Sequence, residues 1–237
     1  MAGETMGPVT LESAKAALGD AIHTSGAFDR SKGIFNIDNF WARPFGQPFI
    51  DAFAEYIRAS TEFSDAQSVV SFQRFRSDNR YGLSPLVGRI GDALGLQSGV
   101  WRESTGSLGV PGFNGSDAER VLLIEDTIGN SELYPALSLI DLKKRGLSPV
   151  GLISIVAGDF ETDAEDIKRL YRANTGDEIV VKAIFTREEL GYVQSNVDTD
   201  TSENDSVIVG EQVVFEHAEV SHLLPRRFPR LPWRKNK

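Results

Sequence analysis

The segment from Arg120 to Tyr134, RVLLIEDTIGNSELY, constrains the fold more than any other part of the chain. Residues 121–124 are all apolar, so the strand that they form is buried on both faces. This is typical of a central strand in a parallel sheet that helices cover on both sides. The adjacent carboxylates of Glu125 and Asp126 end the apolar run, and a short polar turn leads into a helical pattern. The segment therefore predicts an α/β fold with two carboxylates at the end of a buried strand.

Predicted strands and helices alternate along most of the chain. We predict helices at 11–22, 48–59, 85–96, 131–146 and 164–173, and core strands at 66–75, 98–104, 120–126, 148–158 and 178–186. This order predicts a parallel sheet with helices on both sides. Such sheets bind ligands at the carboxyl ends of their strands, which is where Glu125 and Asp126 lie. The segment 104–119, rich in Gly, Ser and Pro, is predicted to be a long loop or hairpin.

We assign residues 1–193 to this α/β domain and residues 194–237 to an appendage. The appendage opens with a polar linker, continues with VIVGEQVVFEHAEV and ends in a basic tail. The middle stretch alternates around a glycine and predicts a hairpin. A segment of roughly 40 residues seldom buries enough apolar surface to fold alone, so we expect no second full domain.

The net charge of −9 is unevenly distributed along the chain. The tail from Leu224 onward holds six basic residues and no acid, which leaves 19 basic against 34 acidic side chains in residues 1–223. Nucleic-acid binding needs a positive face, so this acidic body predicts no nucleic-acid partner. The tail suits an anionic membrane surface, an acidic partner, the acidic body of a second subunit, or a flexible solubilising end. Its prolines interrupt an amphipathic helix, so we expect no membrane contact from it.

Two further features bear on location and on metal binding. The chain has no apolar run of the roughly 18 residues that a membrane span needs, and its start lacks the pattern of a signal peptide, so we expect a cytoplasmic protein. It has no cysteine and three histidines, at 23, 217 and 222, and no two of these lie four residues apart on an evident helix. Disulfides and thiolate metal sites are therefore excluded, and no zinc site is predicted.

The end of the central strand offers groups for a sugar phosphate. Glu125 and Asp126 suit sugar hydroxyls or a hydrated Mg²⁺, which favours few carboxylates plus waters and substrate oxygens. The helix predicted to start near Ser131, with that serine as N-cap, and the loop before it offer backbone N–H groups to a phosphate. The alternative is that the acidic pair merely ends a buried strand and caps the next helix.

These residues resemble a known family. VLLIEDTIGNSEL resembles the phosphoribosyl diphosphate motif of type I phosphoribosyltransferases. Four further stretches are similar to segments of the orotate phosphoribosyltransferases, in order, from about Leu11 to Tyr192: HTSGAFDRSKGIFNIDNF, RYGLSPLVGRIGDALGL, GVWRES and VVKAIFTREELGYV. The resemblance implies a parallel sheet flanked by helices, with an N-terminal hood segment and a C-terminal extension. It also implies a homodimer.

The resemblance implies an activity and a set of site residues. The activity is the transfer of ribose 5-phosphate from phosphoribosyl diphosphate to a nucleobase such as orotate, with release of pyrophosphate and with Mg²⁺ as cofactor. Glu125 and Asp126 would be the catalytic carboxylates and would bind the ribose hydroxyls, directly or through metal and water. The implied substrate-binding residues are Thr127, Ile128, Gly129, Asn130, Ser131, Arg102, Arg80, Tyr81, Gly82, Phe35 and Asn36.

The departures from the family pattern concentrate on the pyrophosphate side. Thr105 and Ser107 stand where a lysine and a histidine are expected, while Tyr81 and Thr24 stand where further lysines are common. Glu132 follows the phosphate loop and adds a negative charge. Charged hydrogen bonds contribute roughly 1.5–3 kcal/mol each, so the missing cations affect affinity or rate strongly.

Two classes of function therefore remain open. The first is an active phosphoribosyltransferase whose cations are re-sited, with Arg74, Arg76 and Arg80 as the candidate replacements. The second is a catalytically silent relative that binds a nucleotide or phosphate as a regulator, or that serves as a scaffold.

Overall fold

The computed structural model describes residues 9–36, 46–73, 83–102, 107–108, 119–128, 134–157 and 160–193. Their helices are α1 (Leu11–Ser25), α2 (Gly46–Ala59), α3 (Ser84–Leu94), α4 (Tyr134–Lys144) and α5 (Phe160–Thr175). Their strands are β1 (Phe28–Asp29), β2 (Ile34–Phe35), β3 (Ser68–Gln73), β4 (Gln97–Arg102), β5 (Ser107–Leu108), β6 (Arg120–Ile128), β7 (Ser148–Ala157) and β8 (Val180–Thr186). These residues belong to a compact unit spanning 1–195; the predicted hairpin and basic tail, in 196–237, lie outside the described residues.

The main sheet has six strands in the order β5-β4-β3-β6-β7-β8. Five of them are parallel, and β5 is antiparallel to β4. The predicted central strand is therefore correct, because β6 lies between β3 and β7. The short strands β1 and β2 form a separate antiparallel hairpin near the N-terminus.

Helices cover the sheet on both faces, as predicted. A first apolar cluster packs α1, α2 and α3 against one face, and a second packs α4 and α5 against the other. The apolar run of β6 supplies both clusters: Leu122 and Ile124 belong to the first, Val121 and Leu123 to the second. All four side chains are fully buried, which explains why this strand lacks an alternating polar face.

Local sequence signals define the ends of the helices. Helix α1 begins with a capping box in which the Ser13 amide donates to Thr10 Oγ1 (3.2 Å) and the Thr10 amide donates to Ser13 Oγ (2.9 Å). Gly146, the last residue of the predicted helix 131–146, lies just past the end of α4 and has φ +87°, the left-handed conformation that ends many helices. Helix α5 begins four residues earlier than predicted, at Phe160.

Lys182 connects the edge strand β8 to α2 and to the 3-10 turn Thr61–Phe63 that follows it. Lys182 Nζ lies 2.9 Å from Glu62 Oε1 and 5.7 Å from the centre of the Tyr56 ring. The hydrogen bond from Lys182 lowers the pKa of Glu62, whereas burial raises the pKa of the Tyr56 phenol.

No helix in the described part of the chain is both long enough and apolar enough to span a bilayer.

Candidate functional site

The order of the parallel strands creates a point where the winding of the sheet reverses. Helix α3, which follows β3, packs on one face of the sheet, whereas α4, which follows β6, packs on the other. Because β3 and β6 are neighbours in the sheet, their carboxyl ends form a topological switch point, which we call the crevice. Ligands of open α/β sheets bind at such a switch point.

The strands also part at this crevice. The β3–β6 ladder ends at the pair Ser71 and Ile124, whereas β6 stays paired with β7 through Ile128. On its other side, β3 stays paired with β4 through Gln73. The last four residues of β6, Glu125–Ile128, therefore extend along β7 beyond the β3–β6 ladder. Both predicted carboxylates lie in this extension.

The two carboxylates differ in exposure. The pairing of β6 with β7 keeps one register from Leu122 to Ile128, so both carboxylates lie on a regularly paired part of the strand. Within this stretch Glu125 is buried, at 8% exposure, while Asp126 is partly exposed. Asp126 is thus the more accessible of the two carboxylates.

A local hydrogen bond orients the Asp126 carboxylate. The backbone N–H of Thr127 donates to Asp126 Oδ1 at 2.8 Å, and this contact is partly buried. This bond holds the carboxylate against its own strand, at the carboxyl end of the sheet where a ligand is predicted to bind.

Several predicted site residues lie outside the described residues. These are Gly129, Asn130 and Ser131 of the phosphate loop and Arg80, Tyr81 and Gly82 ahead of α3. The proposed N-cap role of Ser131 falls among them. Thr127 and Ile128 are described and belong to β6, where Thr127 is partly exposed and Ile128 is buried. The predicted strand end was two residues too early, because β6 continues to Ile128; the acidic pair lies just before that end, and the predicted phosphate loop follows it in the sequence.

The predicted pyrophosphate side begins at the end of β4. Arg102 is the last residue of that strand, and its backbone pairs with Ser107 of β5. Ser107 is the residue that stands where the resemblance predicts a loop histidine. The segment 104–119 therefore includes a strand that pairs back on β4, which confirms the hairpin alternative at this point.

The residues predicted near the base lie on the β1–β2 hairpin. Phe35 pairs with Phe28 across the hairpin and is 7% exposed, as part of the first apolar cluster. Asn36 is exposed, and its backbone N–H donates to the Ala27 carbonyl at 2.6 Å. Phe35 therefore packs in the core, and Asn36 presents the polar group at this position.

A tryptophan behind the site connects two strands to α4. Trp101 stacks on Phe72 with ring centres 4.9 Å apart, and its Nε1–H donates to Asp141 Oδ2 at 2.7 Å. The same oxygen accepts from Arg145 Nε at 2.7 Å. Trp101 thus packs in the second apolar cluster, with its N–H satisfied inside the protein. Asp141 was not predicted; the signal available was that a buried indole N–H usually finds an acceptor.

The described residues show no group of three or more His, Asp or Glu side chains that would hold a metal ion. His23 instead lies with its Nδ1 atom 3.0 Å from Arg30 Nη2, and the other two histidines fall outside the described ranges. A Mg²⁺ ion carried by substrate oxygens asks for fewer protein ligands.

No protein-family model matches the chain, and no curated protein matches its sequence. Its structure is similar to that of orotate phosphoribosyltransferase from Mycobacterium tuberculosis H37Rv in complex with inorganic phosphate. The TM-score is 0.53 at 16% identity, covering 75% of this chain and 91% of that chain. For orotate phosphoribosyltransferase from Aeropyrum pernix the TM-score is 0.52 at 13% identity, covering 73% and 96%.

Adenine phosphoribosyl transferase from Trypanosoma brucei, in complex with AMP, pyrophosphate and ribose-5-phosphate, has a TM-score of 0.50 at 14% identity. That comparison covers 87% of this chain and 92% of that chain. The parallel sheet flanked by helices is therefore a type I phosphoribosyltransferase-like α/β fold, and the predicted fold class is confirmed.

Proposed function

We propose that this chain, which has a type I phosphoribosyltransferase-like fold, binds a 5-phosphoribosyl group in the crevice between β3 and β6. It transfers that group from phosphoribosyl diphosphate to a nucleobase and releases pyrophosphate. The observation that carries the proposal is the position of Asp126 on the part of β6 that extends beyond the β3–β6 ladder. That extension leads into α4 within five residues, and Thr127–Ser131 are assigned to the 5′-phosphate.

The proposed chemistry gives the acidic pair an electrostatic role. The bond between the anomeric carbon and the pyrophosphate oxygen breaks, and its electron pair leaves with pyrophosphate. A ring nitrogen of the base donates the pair that forms the new bond, and the proton that this nitrogen carries in the neutral base leaves to solvent. Positive charge develops on the sugar meanwhile, and a fixed carboxylate such as Asp126 stabilises it. The partly exposed Asp126 is assigned to binding the ribose hydroxyls, and the buried Glu125 lies next to it in the same strand.

Mg²⁺ is assigned to the diphosphate of the substrate rather than to a site built by the protein. Mg²⁺ favours few carboxylates together with waters and substrate oxygens, which the diphosphate supplies. The choice of orotate as the base, the homodimer and the cytoplasmic location stay predictions.

One observation favours the second class of function, a silent relative that binds a nucleotide or phosphate. Ser107 lies in a strand whose backbone pairs with Arg102, at the position where the resemblance predicts a loop histidine. A hydroxyl carries no charge at neutral pH, so it cannot replace a cation against pyrophosphate. A protein with this arrangement retains the ribose and 5′-phosphate contacts while supporting the departure of pyrophosphate less well.

Calorimetric titration with phosphoribosyl diphosphate and Mg²⁺, followed by a pyrophosphate-release assay with orotate, uracil, adenine, hypoxanthine and guanine, separates the two classes. Binding with turnover supports the enzyme, and binding without turnover supports the silent relative. If the full chain binds neither phosphoribosyl diphosphate nor nucleoside 5′-monophosphates, the enzyme and the ligand-binding relative are both wrong, and only the scaffold of the second class is left.

Asp126→Asn tests the site itself. The amide oxygen still accepts from the Thr127 N–H, so the fold should persist, while the lost charge should lower turnover by roughly 100-fold or more. Asp20→Asn, the same change at an exposed position of α1, is the matched control and should behave as the wild type. An Asp126→Asn enzyme with unimpaired turnover removes the assignment.

A further inference from the structure

Trp101 occupies a position that links the two ends of the proposed site. It is the residue before Arg102, at the carboxyl end of β4, and it lies opposite Phe72 in the β3–β4 ladder. Its ring is 8% exposed and stacks on Phe72 at an interplanar angle of 26°. Phe72 and Trp101 thus each precede the last residue of their strand. Both strands then lead into segments that are predicted to bind pyrophosphate.

The indole is also bonded to the helix that follows the phosphate loop. Its Nε1–H donates to Asp141 Oδ2 at 2.7 Å, across 40 residues of sequence. Asp141 is on α4, which begins directly after residues 129–133. This single contact thus joins the strand ahead of Arg102 to the helix that follows the proposed 5′-phosphate loop.

The packing beneath α4 does not define the position of the helix as strictly as this bond does. The helix buries Ala136, Leu139, Ile140 and Leu142 in the second cluster, where apolar contacts are non-directional and tolerate small slides. A hydrogen bond to a fixed indole requires both a short distance and a defined angle. Asp141 is also held by Arg145 Nε at 2.7 Å, so the acceptor itself is oriented.

We infer that Trp101 is a positioning residue which, through Asp141, sets the spacing between the 5′-phosphate end and the pyrophosphate end of the site. The inference rests on the proposed function. A ligand that occupies both ends, phosphoribosyl diphosphate, depends on this spacing. A nucleoside 5′-monophosphate, which lacks the diphosphate, does not. Displacements of about 1 Å in a catalytic arrangement lower rates by up to roughly 100-fold.

The test removes the donor while keeping the aromatic ring. Trp101→Phe retains stacking on Phe72 and lacks the N–H, so the affinity for phosphoribosyl diphosphate should fall roughly 10-fold or more. The affinity for the 5′-monophosphate that the wild type binds best should change less than about 3-fold. Asp141→Leu removes the acceptor from the other side and should give the same pattern if Trp101→Phe does not fold.

Two further variants separate the indole bond from the ion pair. Asp141→Asn retains a carbonyl oxygen for the indole, so, unlike Asp141→Leu, it should keep the wild-type ratio of the two affinities. Arg145→Met removes the charged partner that orients the acceptor but leaves the indole bond in place, so it should shift the ratio less than Trp101→Phe does. A simple loss of stability would lower the affinity for both ligands equally in every variant. It would therefore not produce a difference in the ratio between Asp141→Asn and Asp141→Leu.

The outcomes are distinct. If the wild type binds neither ligand, the proposed function is wrong and this inference falls with it. If the wild type binds both, the inference alone is overturned when Trp101→Phe and Asp141→Leu leave the ratio unchanged or weaken both ligands to the same extent. A ratio that shifts against phosphoribosyl diphosphate in Trp101→Phe and keeps its wild-type value in Asp141→Asn supports it.

Discussion

Two glycines on one helix offer a sharp test of the packing between α3 and β4. A Cβ atom at Gly91 would lie 2.7 Å from Ser98 Cβ and 3.0 Å from the Leu96 carbonyl oxygen. A Cβ atom at Gly88, one turn earlier in the same helix, would meet only Ser98 Oγ, at 4.0 Å. Both positions lie within Ser84–Leu94, so alanine brings a similar benefit in helix propensity at each.

The two substitutions should therefore differ in the free energy of unfolding. Gly88→Ala should stabilise the protein by up to about 1 kcal/mol, because alanine favours a helix interior over glycine. At Gly91 the same benefit is opposed by overpacking, which typically costs about 1–3 kcal/mol. We expect Gly91→Ala to be less stable than Gly88→Ala by about 1–3 kcal/mol.

Urea unfolding followed by circular dichroism measures this difference, provided that the m-value stays constant between the variants. Ser98→Gly removes the nearest atom, so in that background Gly91→Ala should cost less by roughly 0.5 kcal/mol or more, which a double-mutant cycle reports. Equal stabilities for Gly88→Ala and Gly91→Ala would refute the reasoning, because they would show that α3 does not approach β4 as closely as described.

The remaining predictions concern pH and use the shifted groups. The pKa of Glu62 is lowered by Lys182, so this carboxyl stabilises the fold above its ordinary titration range and loses that contribution as the pH falls below roughly 4.5. Lys182→Met should reduce the unfolding free energy at pH 7 by about 0.2–1 kcal/mol and by less at pH 3, since both side chains are partly exposed; an equal loss at both pH values would contradict this. Burial raises the pKa of Tyr171, so its contribution is complete below roughly pH 10 and declines at higher pH. Tyr171→Phe should therefore flatten the fall in stability above pH 10 measured by urea unfolding, and an unchanged slope would assign that fall to other groups.

The local elements followed from local patterns in the sequence. The apolar residues 121–124 predicted a strand buried on both faces, and β6 lies in the centre of the sheet with both clusters against it. The glycine after α4 and the apolar face of α1 were equally readable, because each depends on residues within a few turns of one another. The position of Glu125 and Asp126 at a strand end belongs to the same class of inference.

Other features depended on contacts between distant segments. The parting of β3 from β6 beyond Ile124 requires the order of the strands, which no local period encodes. The pairing of Ser107 with Arg102 was foreseen only as one of two alternatives, because a Gly- and Ser-rich stretch is compatible with both a loop and a hairpin. The hydrogen bond from Trp101 to Asp141 could not be assigned from spacing, since many exposed acids were equally available to a buried indole.

The amino-acid order alone thus specified an α/β chain with carboxylates at the end of its central strand, because periodicity and caps act over short distances. The folded arrangement decided that Asp126 is more accessible than Glu125 and that Phe35 packs into the core. It also decided which helix is tied to which strand behind the crevice. Exposure and long-range hydrogen bonds arise only when segments far apart in the chain are packed together, so they are properties of the tertiary structure.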